Sequence, residues 1–342
     1  MNPPLPIVLA PVAWSDPSFD RLPGLADRPP IDPHAPYLVA GVFGLLVLAS
    51  LVGFVLKRVA KSDAARRTVE NLNARTKAWW IMAAVFALAL TGGRAGMIVL
   101  FALVSFQALR EMITLTPTRR GDHHALFWAF FVIVPLHYHV LYIGWYGMFA
   151  IFIPVYCFLF LAVRSVLTGD CARYLERAAK TQWGLMICVY CVSHAPALLM
   201  LNIPGYTQTW KLLVYLVLVV QLSDVMQYVW GKLLGRNRVA PDVSPNKTWE
   251  GLLGGVASAT MVGAAIWKIT PFTWPQSAAF AFTVCVMGFF GGLVMSAIKR
   301  DAGVKDYGHL IEGHGGVMDR IDSLSFAAPV FFHLVRYYFA QP

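Results

Sequence analysis

Between Ser296 and Asp322 the chain reads SAIKRDAGVKDYGHLIEGHGGVMDRID, and most residue types that handle phosphate stand in it. Lys299, Arg300, Lys305 and Arg320 are cations able to neutralise phosphate oxygens, while Asp306, Asp319 and Asp322 are hard oxygen donors of the kind Mg²⁺ prefers. His314 lies between Gly313 and the pair Gly315 and Gly316, where glycine lets backbone approach a ligand and the imidazole can donate a hydrogen bond. Asp319 and Asp322, three apart, share one face at the start of a helix. Singly these residues have bland explanations, because basic side chains snorkel and acidic ones favour helix N-termini. Their concentration in one short stretch points to phosphate chemistry.

Two further polar features belong with it. Asp224, in LVVQLSDVMQYVWGK, is a carboxylate inside an apolar run, where a charge costs about 2.5 to 3.5 kcal/mol even on lenient insertion scales and usually marks a site. The loop GRNRVAPDVSPNKTWEG from Gly235 to Gly251 carries Arg236, Arg238 and Lys247 among prolines and runs through Thr248 and Glu250 into a helix start. A basic loop that feeds a helix N-terminus can bind phosphate; a capped helix start next to a membrane explains it nearly as well.

The elements that must position these residues are hydrophobic helices. The chain has 342 residues, is 58% hydrophobic and 13% charged, and its apolar runs are long enough to span a bilayer, which takes about 20 residues. They fall at about 37–56, 79–91, 96–109, 125–143, 146–163, 183–201, 210–230, 252–267, 277–298 and 324–340. The expectation is an all-α, polytopic integral membrane protein of about ten transmembrane helices, with a proline-rich extramembrane tail over 1–36 and one membrane domain over 37–342. The second and third runs, joined by TGGRAG, are expected to form a tight helical hairpin.

The formal net charge of +10 is not spread evenly. Lys and Arg concentrate on alternate loops, and only Arg21, Arg28, Arg94, Lys211, Lys268 and Arg336 fall elsewhere. That is the positive-inside pattern. It places the charged stretch in the cytoplasm and argues against nucleic acid as a partner, since no basic tail or aromatic-interleaved basic stripe is present. Cys188 and Cys191 form a C-x-x-C within an apolar run and read as packing residues. His137 and His139 read as interfacial or packed, and no cleaved signal peptide is expected at the N-terminus.

The stretch resembles the signature of the phosphatidate cytidylyltransferases, the CDP-diacylglycerol synthases: S-x-x-K-R-x4-K-D, then H-G-G and D-R-x-D. Here it reads Ser296, Lys299, Arg300, Lys305, Asp306, His314, Gly315, Gly316, Asp319, Arg320 and Asp322. Ser244, Pro245, Lys247, Thr248, Glu250 and Gly251 are similar to that family's S-P-x-K-T-x-E-G segment, and Asp224 with Tyr228 and Gly231 to its preceding helix. The likeness covers residues 222–325. The chain departs at Glu312, where proline is usual, and at Gly292 and Met295, where many bacterial members carry Asp and Glu.

The resemblance implies transfer of CMP from CTP to phosphatidate in phospholipid biosynthesis at the bacterial inner membrane. It implies catalytic roles for Asp319, Asp306, Lys299, Arg300, Lys305, His314, Arg320 and Asp322, and substrate binding by Ser244, Lys247, Thr248, Ser296, Gly315 and Gly316. Mg²⁺ is expected on Asp319 and Asp306, with Asp224 as a third ligand. CTP, phosphatidate and membrane lipid are the expected partners, and a homodimer is compatible with this reading. The alternatives are transfer to another lipid phosphate, such as a polyprenyl phosphate, and a non-enzymatic lipid transporter.

Overall fold

The computed structural model describes residues 35–59, 62–115, 118–308 and 315–340. His314 and nearly all of the expected tail at 1–36 lie outside the described residues. The chain forms two compact units, Met1–Ala49 and Ser50–Pro342. Of the first, the opening of helix α1 (Ala35–Val59) is described; the candidate site belongs to the second.

Apolar periodicity becomes helix throughout the second unit. α2 (Asp63–Thr91) and α3 (Gly93–Thr114) form the expected hairpin, turning at Gly92 and at Gly93, which has φ +61°. α4 (Asp122–Tyr142), α5 (Tyr146–Val166) and α6 (Tyr174–Met200) follow. α4 and α5 widen into π turns at Ala129–Ile133 and Phe152–Cys157, beside Pro135 and Pro154, which cannot donate the i→i−4 bond. The C-terminal group comprises α7 (Trp210–Leu234), α8 (Trp249–Ala265), α9 (Trp274–Asp301) and α10 (Met318–Phe339). Between α7 and α8 the expected loop folds as a two-stranded antiparallel hairpin, β1 (Arg238–Ala240) with β2 (Ser244–Thr248).

Among the described residues six helices, α3 to α7 and α9, are long and apolar enough to cross a membrane. The ten expected spans are therefore not all present as spans by this measure. The apolar part of α2, Thr76–Thr91, and the 17-residue α8 fall short of the roughly 20 residues a span needs. α10 opens with Asp319, Arg320 and Asp322, which lowers its hydropathy.

α10 is the hub: it packs on α9 and α7, and on α3 and α6 from the N-terminal half. Where the helices meet, buried polar groups pair with one another, as they must away from water. The Tyr215 hydroxyl of α7 donates to the Ser277 carbonyl of α9 (2.7 Å), and the Ser277 hydroxyl donates to the Gly263 carbonyl of α8 (2.8 Å). His137 is fully buried, with its Nε2 2.8 Å from Ser193 Oγ, so it is a packed residue. Cys188, also on α6, is a buried free thiol.

One ion-pair network fixes the entries of α4 and α6. Arg177, whose side chain is 8% exposed, has Nε 2.9 Å from Asp122 Oδ1 and Nη1 2.8 Å from Asp170 Oδ2. It also donates to the carbonyls of Ala172 and Asp170. Removing one partner of such a buried set strands the others, at a cost of about 3–5 kcal/mol. Arg177→Met should accordingly lower the thermal unfolding midpoint of the detergent-solubilised protein by many degrees, whereas Arg173→Met, on an exposed ion pair, should change it by less than a degree or two.

Candidate functional site

The site is assembled around the N-terminus of α10. A helix start leaves backbone N–H groups without intrahelical partners, and here two carboxylates take them. Glu111, a buried residue near the end of α3, accepts from Val317 N (3.0 Å, Oε1) and Met318 N (2.8 Å, Oε2), while Gln107 Nε2 donates to its Oε1 (3.2 Å). Asp319 turns back and accepts from Gly316 N and Tyr307 N, both at 2.9 Å on Oδ2. Its Oδ1 takes the Lys299 ammonium at 2.8 Å, with the two side chains 12% and 6% exposed. The C-terminus of α9, the following loop and the start of α10 are thus tied together by one carboxylate.

The glycines of the signature serve this arrangement. Gly315 has φ +79°, and a Cβ there would lie 2.7 Å from Asp319 Oδ2; at Gly316 a Cβ would lie 2.3 Å from Glu111 Oε2. Both were expected to admit a ligand to the backbone; in the structure they admit the protein's own carboxylates. Gly303, at φ +70°, closes α9: Val304 N donates to the Lys299 carbonyl (2.9 Å) and Gly303 N to that of Arg300 (3.0 Å), the paired bonds of a Schellman motif. This reversal brings the following residues back beside the helix end, as the sequence suggests. Tyr307 then anchors inward, buried, its hydroxyl donating to the Met295 carbonyl (3.0 Å) and its ring 5.4 Å from Lys299 Nζ.

The hairpin supplies the second wall. Arg300 Nε donates to the Val243 carbonyl (3.3 Å) and its Nη1 to that of Val304 (3.0 Å), so Arg300 staples the two loops together. Thr248 is the N-cap of α8, its Oγ1 accepting from Gly251 N (3.1 Å). Glu250 holds the hairpin shut by accepting from Arg236 N (3.1 Å) and from Asn237 Nδ2 (2.7 Å). Lys247 reaches inward: its Nζ donates to the Phe289 carbonyl (3.2 Å) and stands 4.8 Å from the Phe289 ring. Burial pulls the Lys247 pKa down, while Asp322 and Asp224 pull it up.

The carboxylates form one polar cluster. Asp319 holds Lys299, and with them lie Asp224, Asp322, Ser323 and Lys247, the Ser323 hydroxyl donating to Asp224 Oδ1 (3.1 Å) and the Ser323 N–H to Asp322 Oδ1 (2.7 Å); the charges of Lys247, Lys299 and Asp319 all reach Asp322. Lys305 and Asp306 are exposed at the mouth, next to the Gly315 turn. Ser244 begins β2. Ser296 spends its proton on the Gly292 carbonyl of its own helix (2.7 Å), and Gln221 of α7 donates to the Arg320 carbonyl (3.2 Å). The structure therefore brings Lys299, Arg300, Asp306, Asp319 and Asp322 into one region with Lys247 and Asp224. Among the described residues no group of three or more His, Cys, Asp or Glu is arranged to hold a metal ion.

Fold and composition define an all-α integral membrane protein with a cluster of charged groups at a helix terminus. The cytidylyltransferase family profile matches residues 73–338, and the chain belongs to that family of CTP-dependent nucleotidyltransferases. It is 39% identical over 301 residues to the uncharacterized protein YnbB of Escherichia coli strain K12, covering 87% of this chain and 97% of that one. It is 43% identical over 115 residues to a phosphatidate cytidylyltransferase of Synechocystis and 38% identical over 120 residues to one of Staphylococcus aureus strain COL. These two matches span about a third of this chain and 39% and 46% of the relatives, respectively.

Glu111 is the residue that sequence reasoning missed. Its only signal is an acid in FQALREMITL, at the end of an apolar run and about 200 positions before the helix it caps. Hydrogen bonds to a charged group contribute about 1.5–3 kcal/mol each. Glu111→Ala, which leaves two buried N–H groups unsatisfied, should lower the melting temperature and reduce CTP turnover at least tenfold. Glu111→Gln, which keeps one acceptor oxygen, should fall between the two in both measurements.

Proposed function

We propose that this protein is a phosphatidate cytidylyltransferase acting at the cytoplasmic face of a bacterial inner membrane. The observation that carries the reading is that two separate basic segments, the α9–α10 junction and the β1–β2 hairpin, fold onto one set of buried carboxylates beside apolar helices. A soluble nucleotide and a lipid phosphate can both reach such a place. The relatives named phosphatidate cytidylyltransferase support the acceptor, and the concentration of Lys and Arg on alternate loops supports the cytoplasmic side.

In this reading a phosphate oxygen of phosphatidate attacks the α-phosphorus of CTP. The bond from that phosphorus to the bridging oxygen of the β-phosphate breaks, releasing pyrophosphate and leaving CDP-diacylglycerol. The nucleophile is already anionic, so no strong general base is needed. The difficulty is the mutual repulsion of two anions, which positioning and charge stabilisation overcome. Lys305 at the mouth attracts the polyanion. Lys299, aligned by Asp319 and packed on Tyr307, offers a charge whose direction is already fixed, and Arg320 projects from the same helix turn. Mg²⁺ suits the exposed carboxylate of Asp306, where it would neutralise triphosphate charge, whereas both oxygens of Asp319 are already engaged, Oδ1 by Lys299 and Oδ2 by the N–H groups of Gly316 and Tyr307. The fit does not extend to Asp224, which lies with Lys247 instead.

A specific observation favours a second acceptor. One relative matched along nearly its whole length, YnbB, is uncharacterized, and Gly292 and Met295 depart from the pattern of many bacterial phosphatidate enzymes, so another lipid phosphate such as a polyprenyl phosphate is the alternative substrate. Purified protein incubated with labelled CTP, Mg²⁺ and a panel of lipid phosphates tests both. CDP-diacylglycerol and stoichiometric pyrophosphate are expected with phosphatidate; product with polyprenyl phosphate alone would move the acceptor, and none with any lipid would overturn the reading. Asp319→Asn should lower kcat by about 10²-fold with the fold intact, the size of loss typical for a removed charge-positioning group; unchanged turnover would show that Asp319 only closes the loop.

A further inference from the structure

The least expected contact in the site is made by Lys247. Its ammonium passes the hairpin and enters the interior at α9, where position 292 has no side chain. A Cβ at Gly292 would stand 2.5 Å from Lys247 Nζ, 3.6 Å from Ser323 Oγ and 3.8 Å from Asp322 Oδ2. The ammonium, the serine hydroxyl and the carboxylate therefore converge on one small space that exists because residue 292 is glycine. Asp224 closes it from α7 through the Ser323 hydroxyl (3.1 Å). Asp224 and Asp322 repel each other there, and Lys247 attracts both.

We propose that the Lys247 ammonium, lodged in the space that Gly292 leaves open, is a built-in counter-cation for the Asp224 and Asp322 carboxylates, in place of a metal ion that would otherwise balance them. The inference rests on reading this pocket as part of a cytidylyltransferase centre and adds how one half of it is charged. Two carboxylates held together inside a membrane protein require a counter-charge. An ammonium tethered through β2 supplies it with three N–H donors, one of which is spent on the Phe289 carbonyl. A divalent ion entering the same space would meet that ammonium at close range and be repelled. Asp224, expected from sequence to ligate metal, is in this arrangement the partner of a lysine, and Lys247, expected to clamp a substrate phosphate, is a positioning residue. The neighbouring charges are Lys299, which pairs with Asp319 and also acts on Asp322, and Arg320, which acts on Asp224; the three atoms nearest a side chain at position 292 belong to Lys247, Ser323 and Asp322.

The test is direct counting of Mn²⁺ bound to the nucleotide-free, full-length protein in detergent, by electron paramagnetic resonance. Lys247→Met should create a Mn²⁺ site at least tenfold tighter than any in the parent protein, and adding Asp224→Asn to it should abolish that gain. Gly292→Ala, which pushes the ammonium out while keeping Lys247, should produce part of the same gain and guards against a lysine variant that fails to fold. Identical Mn²⁺ isotherms for the parent and both folded single variants would overturn the proposal. So would loss of parental Mn²⁺ binding in Asp224→Asn alone, because Asp224 would then already be a metal ligand. Since Mn²⁺ is counted without turnover, these outcomes are separate from whether phosphatidate is the acceptor, which the lipid panel decides.

Discussion

The polar architecture of this protein depends on the unsatisfied N–H groups at the start of α10. In water they would be solvated, but beside apolar helices each must find an acceptor in the protein. Glu111 comes from α3 to take two of them, and Asp319 folds back to take the N–H just before. This choice has a consequence for function. A helix N-terminus is often where a phosphate is bound, but this one is already neutralised by carboxylates, so in the proposed reaction phosphate recognition falls to side-chain cations. The glycines of the G-H-G-G run follow the same logic, because a side chain at Gly316 would displace the Glu111 carboxylate.

The carboxylates orient the interior cations. Lys299 is held by Asp319 against the Tyr307 ring, Lys247 is held at the Phe289 carbonyl of α9 near Asp322 and Asp224, and both lysines act on Asp322. Lys305 alone among the signature lysines stays exposed. For the proposed reaction, which gathers two phosphate-bearing substrates, the centre thus combines oriented interior charges with an exposed exterior one, and the two would do different work. Interior charges cost nothing to reorganise when the transition state forms, which is where electrostatic catalysis gains most. An exposed lysine instead raises the local concentration of anionic substrate, an effect that weakens with salt.

Much of this was legible in the sequence. Each long apolar run lies in a helix, TGGRAG makes the hairpin turn, and the two basic segments do meet. The number of spans was less legible, because an apolar run reports burial but not whether lipid or protein covers it; the run in α8 packs on α7 and α9 and is short for a bilayer. The hairpin strands escaped notice because Pro241 and Pro245 read as turn residues and strands of three and five residues are too short to show a clear alternation. Glu111 was hidden for a different reason. Its partners are backbone N–H groups, which leave no trace in residue types, and they lie on a helix far away in the chain.

The departures at positions 292 and 295 are where sequence and structure illuminate each other most. Met295 is fully buried against Tyr307, whose hydroxyl is raised in pKa by burial, so the surroundings of this position are apolar and a carboxylate there would need its own partner. At position 292 any side chain would collide with the Lys247 ammonium as it now lies. The lysine itself is shared with the S-P-x-K-T-x-E-G pattern, but its present rotamer is incompatible with an aspartate at 292. In a chain that carries Asp there, the ammonium must point elsewhere and the interior gains a negative charge. The two arrangements differ by a carboxylate added and an ammonium removed, a change of two charges in one buried space. A difference that large reaches beyond local packing, because it changes the charge that every neighbouring group must balance.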